Sequence, residues 1–140
     1  MQGRMDRLLD DMGQPQKQLR AVHVAGTKGK GSVAAMLSSI LNHSGYKTGT
    51  YSSPHISSLR ERIAVGGQAI PAGEFEGLVR GGEGALAAAS RREGGRLSHF
   101  EAVTALALRH FAQQQAGGCS CSLFHYWTSS LLLQLLFKLL

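Results

Sequence analysis

The stretch Ala21-Val22-His23-Val24-Ala25-Gly26-Thr27-Lys28-Gly29-Lys30-Gly31-Ser32 decides how the rest of this chain is read. Its first five residues form a short apolar run with two valines, the composition of a strand buried in a parallel sheet. Gly26 ends the run and opens a loop with three glycines and two lysines. From Ser32, the residues Val33, Met36, Leu37, Ile40 and Leu41 recur at helical spacing up to Asn42, with Gly45 as a stop signal. Strand, glycine loop and helix in that order are the setting of a phosphate-binding loop. The glycines let backbone amides approach phosphate oxygens, and the helix N-terminus adds partial positive charge. Lys30 is placed to meet the β and γ phosphates, and the Ser32 hydroxyl to hold magnesium. The strict pattern G-x-x-x-x-G-K-[ST] is not met, because Val24 stands at its first glycine and Gly31 at its final Ser/Thr.

Working outward, Lys47–Ser52 is predicted as a second strand, which closes a β-α-β unit. Arg62–Val65 is predicted as a third, short strand, followed by a turn at Gly66 and Gly67 and a helix starting near Pro71. The glycine-rich stretch from Arg80 to Arg96 is expected to be a loose helix or a linker. Ser98 followed by Glu101 makes a capping box, and Val103, Leu106, Ala107 and Phe111 continue it as one helical stripe to about Gln115. On the N-terminal side, Leu8, Leu9 and Met12 share one face of a short helix that Gly13 and Pro15 stop. The expected fold class is α/β: an incomplete parallel-sheet unit of the P-loop type, with helices on both faces.

A length of 140 residues admits one ordinary domain. With 43% hydrophobic and 17% charged residues, the chain can bury a core and is not a disordered polyampholyte. Fifteen basic against nine acidic residues give a net charge of +6, which suits anionic ligands. A nucleic-acid module is disfavoured because aromatics do not interleave the basic segments. Cys119 and Cys121 lack a second pair at metal-ligand spacing, so free thiols are expected, and no signal or transit pattern opens the chain. The default is a cytoplasmic protein; mitochondrion and plastid stay open if the natural N-terminus lies upstream. His23, His43, His99 and His110 have no paired ligands and are expected to be packing or surface residues.

The ordered segments HVAGTKGKGS, YSSPHI, RERI and SHFEAVTALAL resemble the dihydrofolate synthase/folylpolyglutamate synthase family of Mur-ligase-like enzymes, over roughly Met5 to Gln115. The lysine-rich loop together with YSSPH resembles eukaryotic, plant-type members. The resemblance implies a Mur-ligase central-domain-like unit and an ATP-dependent ligase that adds L-glutamate to a folate-type carboxylate, dihydropteroate or tetrahydrofolate, through an acyl phosphate. It implies that Gly26, Thr27, Lys28, Gly29, Lys30, Gly31 and Ser32 bind ATP, with Lys30 as the catalytic cation. Ser53 joins Ser32 as a magnesium ligand, and His55, Arg60 and Arg62 belong to the loop beside the folate-type substrate. The implied cofactors are ATP and Mg2+, and the implied partners are small molecules (folate or pteroate, and glutamate), with neither nucleic acid nor membrane.

The chain departs from that family after Gln115. The resemblance implies a buried strand bearing a magnesium-binding glutamate, but no carboxylate occurs after Glu101. From Ala112 onward Lys138 is the one charged residue, and 12 of the last 18 residues are Leu, Phe, Tyr or Trp. Residues 1–115 are therefore expected to be a partial ATP-binding domain and 116–140 a non-family hydrophobic tail. Interruptions by His125, Gln134 and Lys138 keep that tail short of the roughly 20 apolar residues a membrane span needs. The alternative to a ligase is a catalytically inert nucleotide-binding fragment or splice product.

Overall fold

The computed structural model describes residues 2–24, 28–53, 57–115 and 119–123. Helix α1 (Gln2–Asp11) buries Met5, Leu8 and Leu9 on one side and ends at Gly13, whose φ of 84° is left-handed. A 3-10 turn at Pro15–Gln18 leads into strand β1 (Ala21–Val24). Helix α2 (Lys30–His43) and strand β2 (Thr48–Tyr51) follow. Strands β3 (Ile63–Val65) and β4 (Gln68–Ala69) form a hairpin around Gly66 and Gly67, both at positive φ as a two-residue turn requires. Helices α3 (Ala72–Arg92) and α4 (His99–Gln113) come next, and strand β5 (Cys119–Leu123) closes the described chain.

The sheet order is β1-β5-β2-β3-β4. Strands β1, β5 and β2 are parallel, while β3 and β4 add antiparallel at one edge. Two neighbouring residues of β2 show that helices cover both faces. Thr48 bonds to Ser38 and Asn42 of α2, with Oγ1 2.9 Å from Ser38 Oγ and 2.8 Å from Asn42 Oδ1. Gly49, one residue on, points to the other face, where a Cβ would lie 2.5 Å from the Phe111 ring of α4. The α/β unit with helices on both faces is thus the one expected. Its core lies on the α4 side, where Leu8, Leu9, Tyr51, Ile63, Ile70 and Phe111 are buried.

In three places the structure goes beyond what composition and periodicity indicate. The crossover from β1 through α2 does not place β2 beside β1: β5 lies between them, pairing Ala21 with Ser120 and Thr48 with Cys119. Cys119–Leu123, within the stretch expected to be a non-family hydrophobic tail, forms that strand, and its backbone fills the gap between two strands whose N–H and C=O groups need partners. Ladder pairing is main-chain chemistry, so a charge-poor Cys-Ser alternation gives little sign of it.

Of the two expectations for the stretch from Arg80, a loose helix or a linker, the structure has the helix: α3 runs unbroken to Arg92. Its glycines make room rather than break the helix. A Cβ on Gly82 would come within 2.6 Å of Leu106 Cδ2, and one on Gly81 within 3.2 Å of the Arg109 guanidinium, so both let α4 approach closely. Gly94 and Gly95, at positive φ, then end the helix. Ion pairs from Arg7 to Glu93 and from Arg92 to Asp11 tie α1 to the end of α3.

The third change is the rotation of α2. Sequence periodicity assigns Val33, Met36 and Ile40 to the core, but they are 46%, 58% and 63% exposed. Lys30, Ala34 and Ser38 face the sheet instead. Among the described residues no helix is long and apolar enough to cross a membrane.

Of the histidines on helices, His110 is buried on α4, and burial lowers its pKa below the usual 6.5; Glu74 opposes that shift and Lys47 adds to it. The unfolded chain therefore binds more protons than the folded one just below pH 6.5, and this contribution to stability is present above that pH and lost as pH falls through it. Urea midpoints measured from pH 7.5 to pH 5 should decline, and the decline should be shallower in His110→Gln. Equal slopes for the two proteins would refute the assignment.

Candidate phosphate-binding site

The parallel strands β1, β5 and β2 bring their C-terminal ends to one edge of the sheet, where ligands of open α/β folds bind. Lys28–Ser32 emerges at this edge after β1, and Ser52 and Ser53 after β2. Gly29 caps α2 with φ 76° and ψ 0°, a left-handed conformation that an L side chain would strain. No side chain among the described residues caps the helix, and its first turn holds no acidic residue. The amides of Gly31 and Ser32 have no acceptor within the helix, and Val33 N–H makes the first bond back to Gly29 O at 3.0 Å. A helix N-terminus without a side-chain cap, with two lysines beside it and no acidic residue in its first turn, favours an anion.

The two lysines of the loop differ. Lys28 is exposed, whereas Lys30 is only 7% exposed, on the sheet-facing side of α2. A shielded ammonium interacts with an anion more strongly than one in bulk water. Gly31 has open space where a Cβ would stand, so packing alone does not demand glycine there. Ser32 is exposed and Ser53 half-buried. Gly26, Thr27 and His55, expected in the site, lie outside the described residues.

Beyond Gly31 a groove of about 460 Å³ opens between α2 and the β2-β3 pair. Ala35, Ser39, Thr50, Ser52 and Gly67 line it with small and hydroxyl-bearing groups. Its volume falls within the range of small-molecule sites.

The expected substrate loop is organised by Glu61, which sequence reasoning passed over. Its carboxylate accepts from Ser57 Oγ at 2.7 Å and Ser58 N–H at 3.1 Å, completing a capping box on the 3-10 turn Leu59–Arg62. The spacing of Ser58 and Glu61 carried that signal. Ser52 N–H donates to Arg62 O at 3.0 Å, which pins the exit of β2 to this turn. Arg60 donates to the Ile70 carbonyl at 3.2 Å. Arg62 lies beside the buried Tyr51 hydroxyl, whose pKa burial raises, while Thr104 and then Arg62 pull it back. Both arginines therefore engage the fold itself.

Glu101, the last carboxylate of the chain, serves helix α4 as its spacing predicts. It accepts from Ser98 N–H at 2.9 Å and Ser98 Oγ at 2.7 Å, and pairs with Arg4 at 3.2 Å. Ser98→Ala should cost about 1 kcal/mol, visible as a lower urea midpoint at unchanged slope. A midpoint equal to wild type would show that the box adds nothing to stability. Among the described residues no cluster of three His, Cys, Asp or Glu could hold a metal ion.

No protein-family model matches the chain. The chain is 42% identical over 111 residues, 79% of its own length and 26% of the relative, to the dihydrofolate synthase/folylpolyglutamate synthase of Bacillus subtilis. A solved folylpolyglutamate synthase of Mycobacterium tuberculosis, complexed with ADP and AMPPCP, superposes with a TM-score of 0.82 at 31% identity, covering 86% of this chain and 28% of that one. A structure described as an FPGS-AMPPCP-folate complex gives a TM-score of 0.79 at 35% identity, covering 86% and 29%. The chain therefore spans about a quarter of the length of these relatives. They lend no support to the expectation of a plant-type member.

Proposed function

We propose, from the premise that this chain belongs to the dihydrofolate synthase/folylpolyglutamate synthase family over the segment it shares with those relatives, that its phosphate loop binds Mg-ATP at the C-terminal edge of the sheet. The reaction served is the ATP-dependent joining of L-glutamate to a folate-type carboxylate, either dihydropteroate or tetrahydrofolate. The observation that carries this reading is the start of α2 at left-handed Gly29, with no side-chain cap and no acidic residue in its first turn, and with Lys30 shielded from solvent there.

A carboxylate is a poor electrophile at neutral pH, so it must be activated before an amine can attack. Its oxygen takes the γ-phosphoryl group and ADP leaves; the glutamate amine then attacks the acyl carbon and inorganic phosphate departs with the C–O bond electrons. The α2 amides and Lys30 balance charge on the phosphate oxygens during transfer. Gly29 and Gly31 keep the backbone close to those oxygens, and Gly26 and Thr27 are residues we assign to the same nucleotide. The hydroxyls of Ser32 and Ser53 suit an ion that arrives with the nucleotide, since magnesium keeps waters and phosphate oxygens as most of its ligands. When bound, magnesium would neutralise phosphate charge. His55, Arg60 and Arg62 are the residues we assign to the substrate side, with Glu61 holding that turn in shape.

A catalytically inert nucleotide-binding fragment is the second reading, favoured by one observation: the last carboxylate, Glu101, is locked by Ser98 and Arg4. On this reading residues 116–140 replace family sequence, although β5 fills a strand position of the sheet. Calorimetric titration with Mg-ATP tests the shared part, and incorporation of labelled glutamate into tetrahydrofolate separates the two. Gly31→Ala should keep the fold, because the site is open, and weaken binding at least tenfold by placing a methyl group where phosphate approaches. Wild-type affinity in that variant, or no binding by the folded wild type, would overturn the assignment.

A further inference from the structure

Between Asp11 and Glu74 the chain has a single carboxylate, Glu61, in the stretch that also holds the phosphate loop. A negative side chain there opposes an anionic ligand unless other groups engage it. Glu61 is engaged: its carboxylate accepts from Ser57 Oγ at 2.7 Å, Ser58 N–H at 3.1 Å and Ser57 N–H at 3.4 Å. Its main-chain carbonyl accepts from Ser52 Oγ at 3.4 Å, next to the bond from Ser52 N–H to Arg62 O at 3.0 Å. Glu61 and its neighbour thus clasp the segment that leaves β2 at two points: Ser52 through the main chain, Ser57 and Ser58 through the side chain. Ser53, half-buried, is the first residue inside that clasp.

We infer that Glu61 is a positioning residue for the nucleotide side of the site: by fixing Ser57 and Ser58 it holds the Ser53 hydroxyl in place for the magnesium of Mg-ATP. The inference rests on the proposed reading of Ser53 as a magnesium ligand. A short segment fixed at both ends has fewer backbone states than one fixed at one end, so less conformational entropy is lost when the ion arrives. Removing the carboxylate frees the Ser57–Ser58 end and leaves both main-chain acceptors of Ser52. The strand β2 and the sheet therefore persist, while the placement of Ser53 does not. The phosphate loop, Lys28–Ser32, lies on other elements and keeps its hold on ATP itself. Outer partners that orient a metal ligand matter in this way, and their loss costs about 10- to 100-fold in metal affinity.

Calorimetric titration tests this by measuring ATP affinity with magnesium and with EDTA in the wild type, Glu61→Ala and Ser53→Ala, each checked for cooperative unfolding. The ratio of the two affinities is the contribution of magnesium. In Glu61→Ala this ratio should fall about tenfold, towards the Ser53→Ala value, while affinity in EDTA stays within about twofold of wild type. An unchanged ratio in Glu61→Ala beside a lowered one in Ser53→Ala would overturn the inference and leave the reading of Ser53 standing. Equal losses with magnesium and with EDTA in Glu61→Ala would show a role in the fold alone, and overturn it too. A wild-type ratio in Ser53→Ala would overturn the reading of Ser53, and the inference with it.

Discussion

Replacing Phe111 with alanine is expected to destabilise the chain by about 3–5 kcal/mol, the range for emptying a buried aromatic site. Domains of this size have about 5–15 kcal/mol in total, so the variant should sit near its unfolding threshold at room temperature. The reason is position: Phe111 is fully buried, and its ring lies over Gly49, where β2 has no side chain of its own. It therefore fills the space over Gly49 between α4 and the sheet. Gly49→Ala attacks the same contact from the other side, since its methyl would lie 2.5–2.8 Å from three ring atoms, and overpacking of this kind costs about 1–3 kcal/mol. Because the two sites touch, their effects should not add: Gly49→Ala should cost less in a Phe111→Leu background than alone. Urea denaturation followed by circular dichroism measures all of these. Additive costs would mean that the ring does not rest on Gly49.

Lys30→Ala should have the largest functional effect. Bonds to charged groups are worth about 1.5–3 kcal/mol, which predicts a loss of roughly 10- to 150-fold in Mg-ATP affinity. Lys28→Ala, at an exposed position, should lose less than about fivefold. Lys30→Arg should not rescue, because a planar fork cannot occupy the shielded place of a compact ammonium beside the helix terminus. Calorimetric titration reads the three variants side by side, with unfolding curves to show that each is folded. Equal losses at Lys28 and Lys30 would remove the reason to single out Lys30, and unchanged affinity in Lys30→Ala would leave the loop without its proposed role.

Much of the site was legible because it is built from short-range interactions. A run of four or five apolar residues, a left-handed glycine and a helix start lie within Ala21–Ser32, and each acts on its sequence neighbours. Ser98 and Glu101 are three residues apart, so their capping box is written in the spacing and appears as expected. Ser58 and Glu61 carried the same mark and were passed over beside the more conspicuous arginines. Arg60 and Arg62 show what such reading leaves out: the family resemblance placed them beside a substrate, and their neighbours within the fold, Ile70 O and the Tyr51 hydroxyl, come from the following loop and the preceding strand.

By itself, then, the sequence determined the order of strand, glycine-rich loop and helix, the ends of most elements and the side chains offered at the loop, since these follow from backbone preference and local bonding. The tertiary structure alone decided which side of α2 is buried. Apolar periodicity pointed to Val33, Met36 and Ile40, but Ala34 lets the helix come close to the sheet, and Ser38 and Asn42 find Thr48 there. Packing also decided that Gly81 and Gly82 serve contact with α4 rather than a break, and that Cys119–Leu123 joins the sheet. In each case the deciding partner lies more than a helical turn away along the chain, beyond the reach of propensity and period, and only the assembled sheet brings it near.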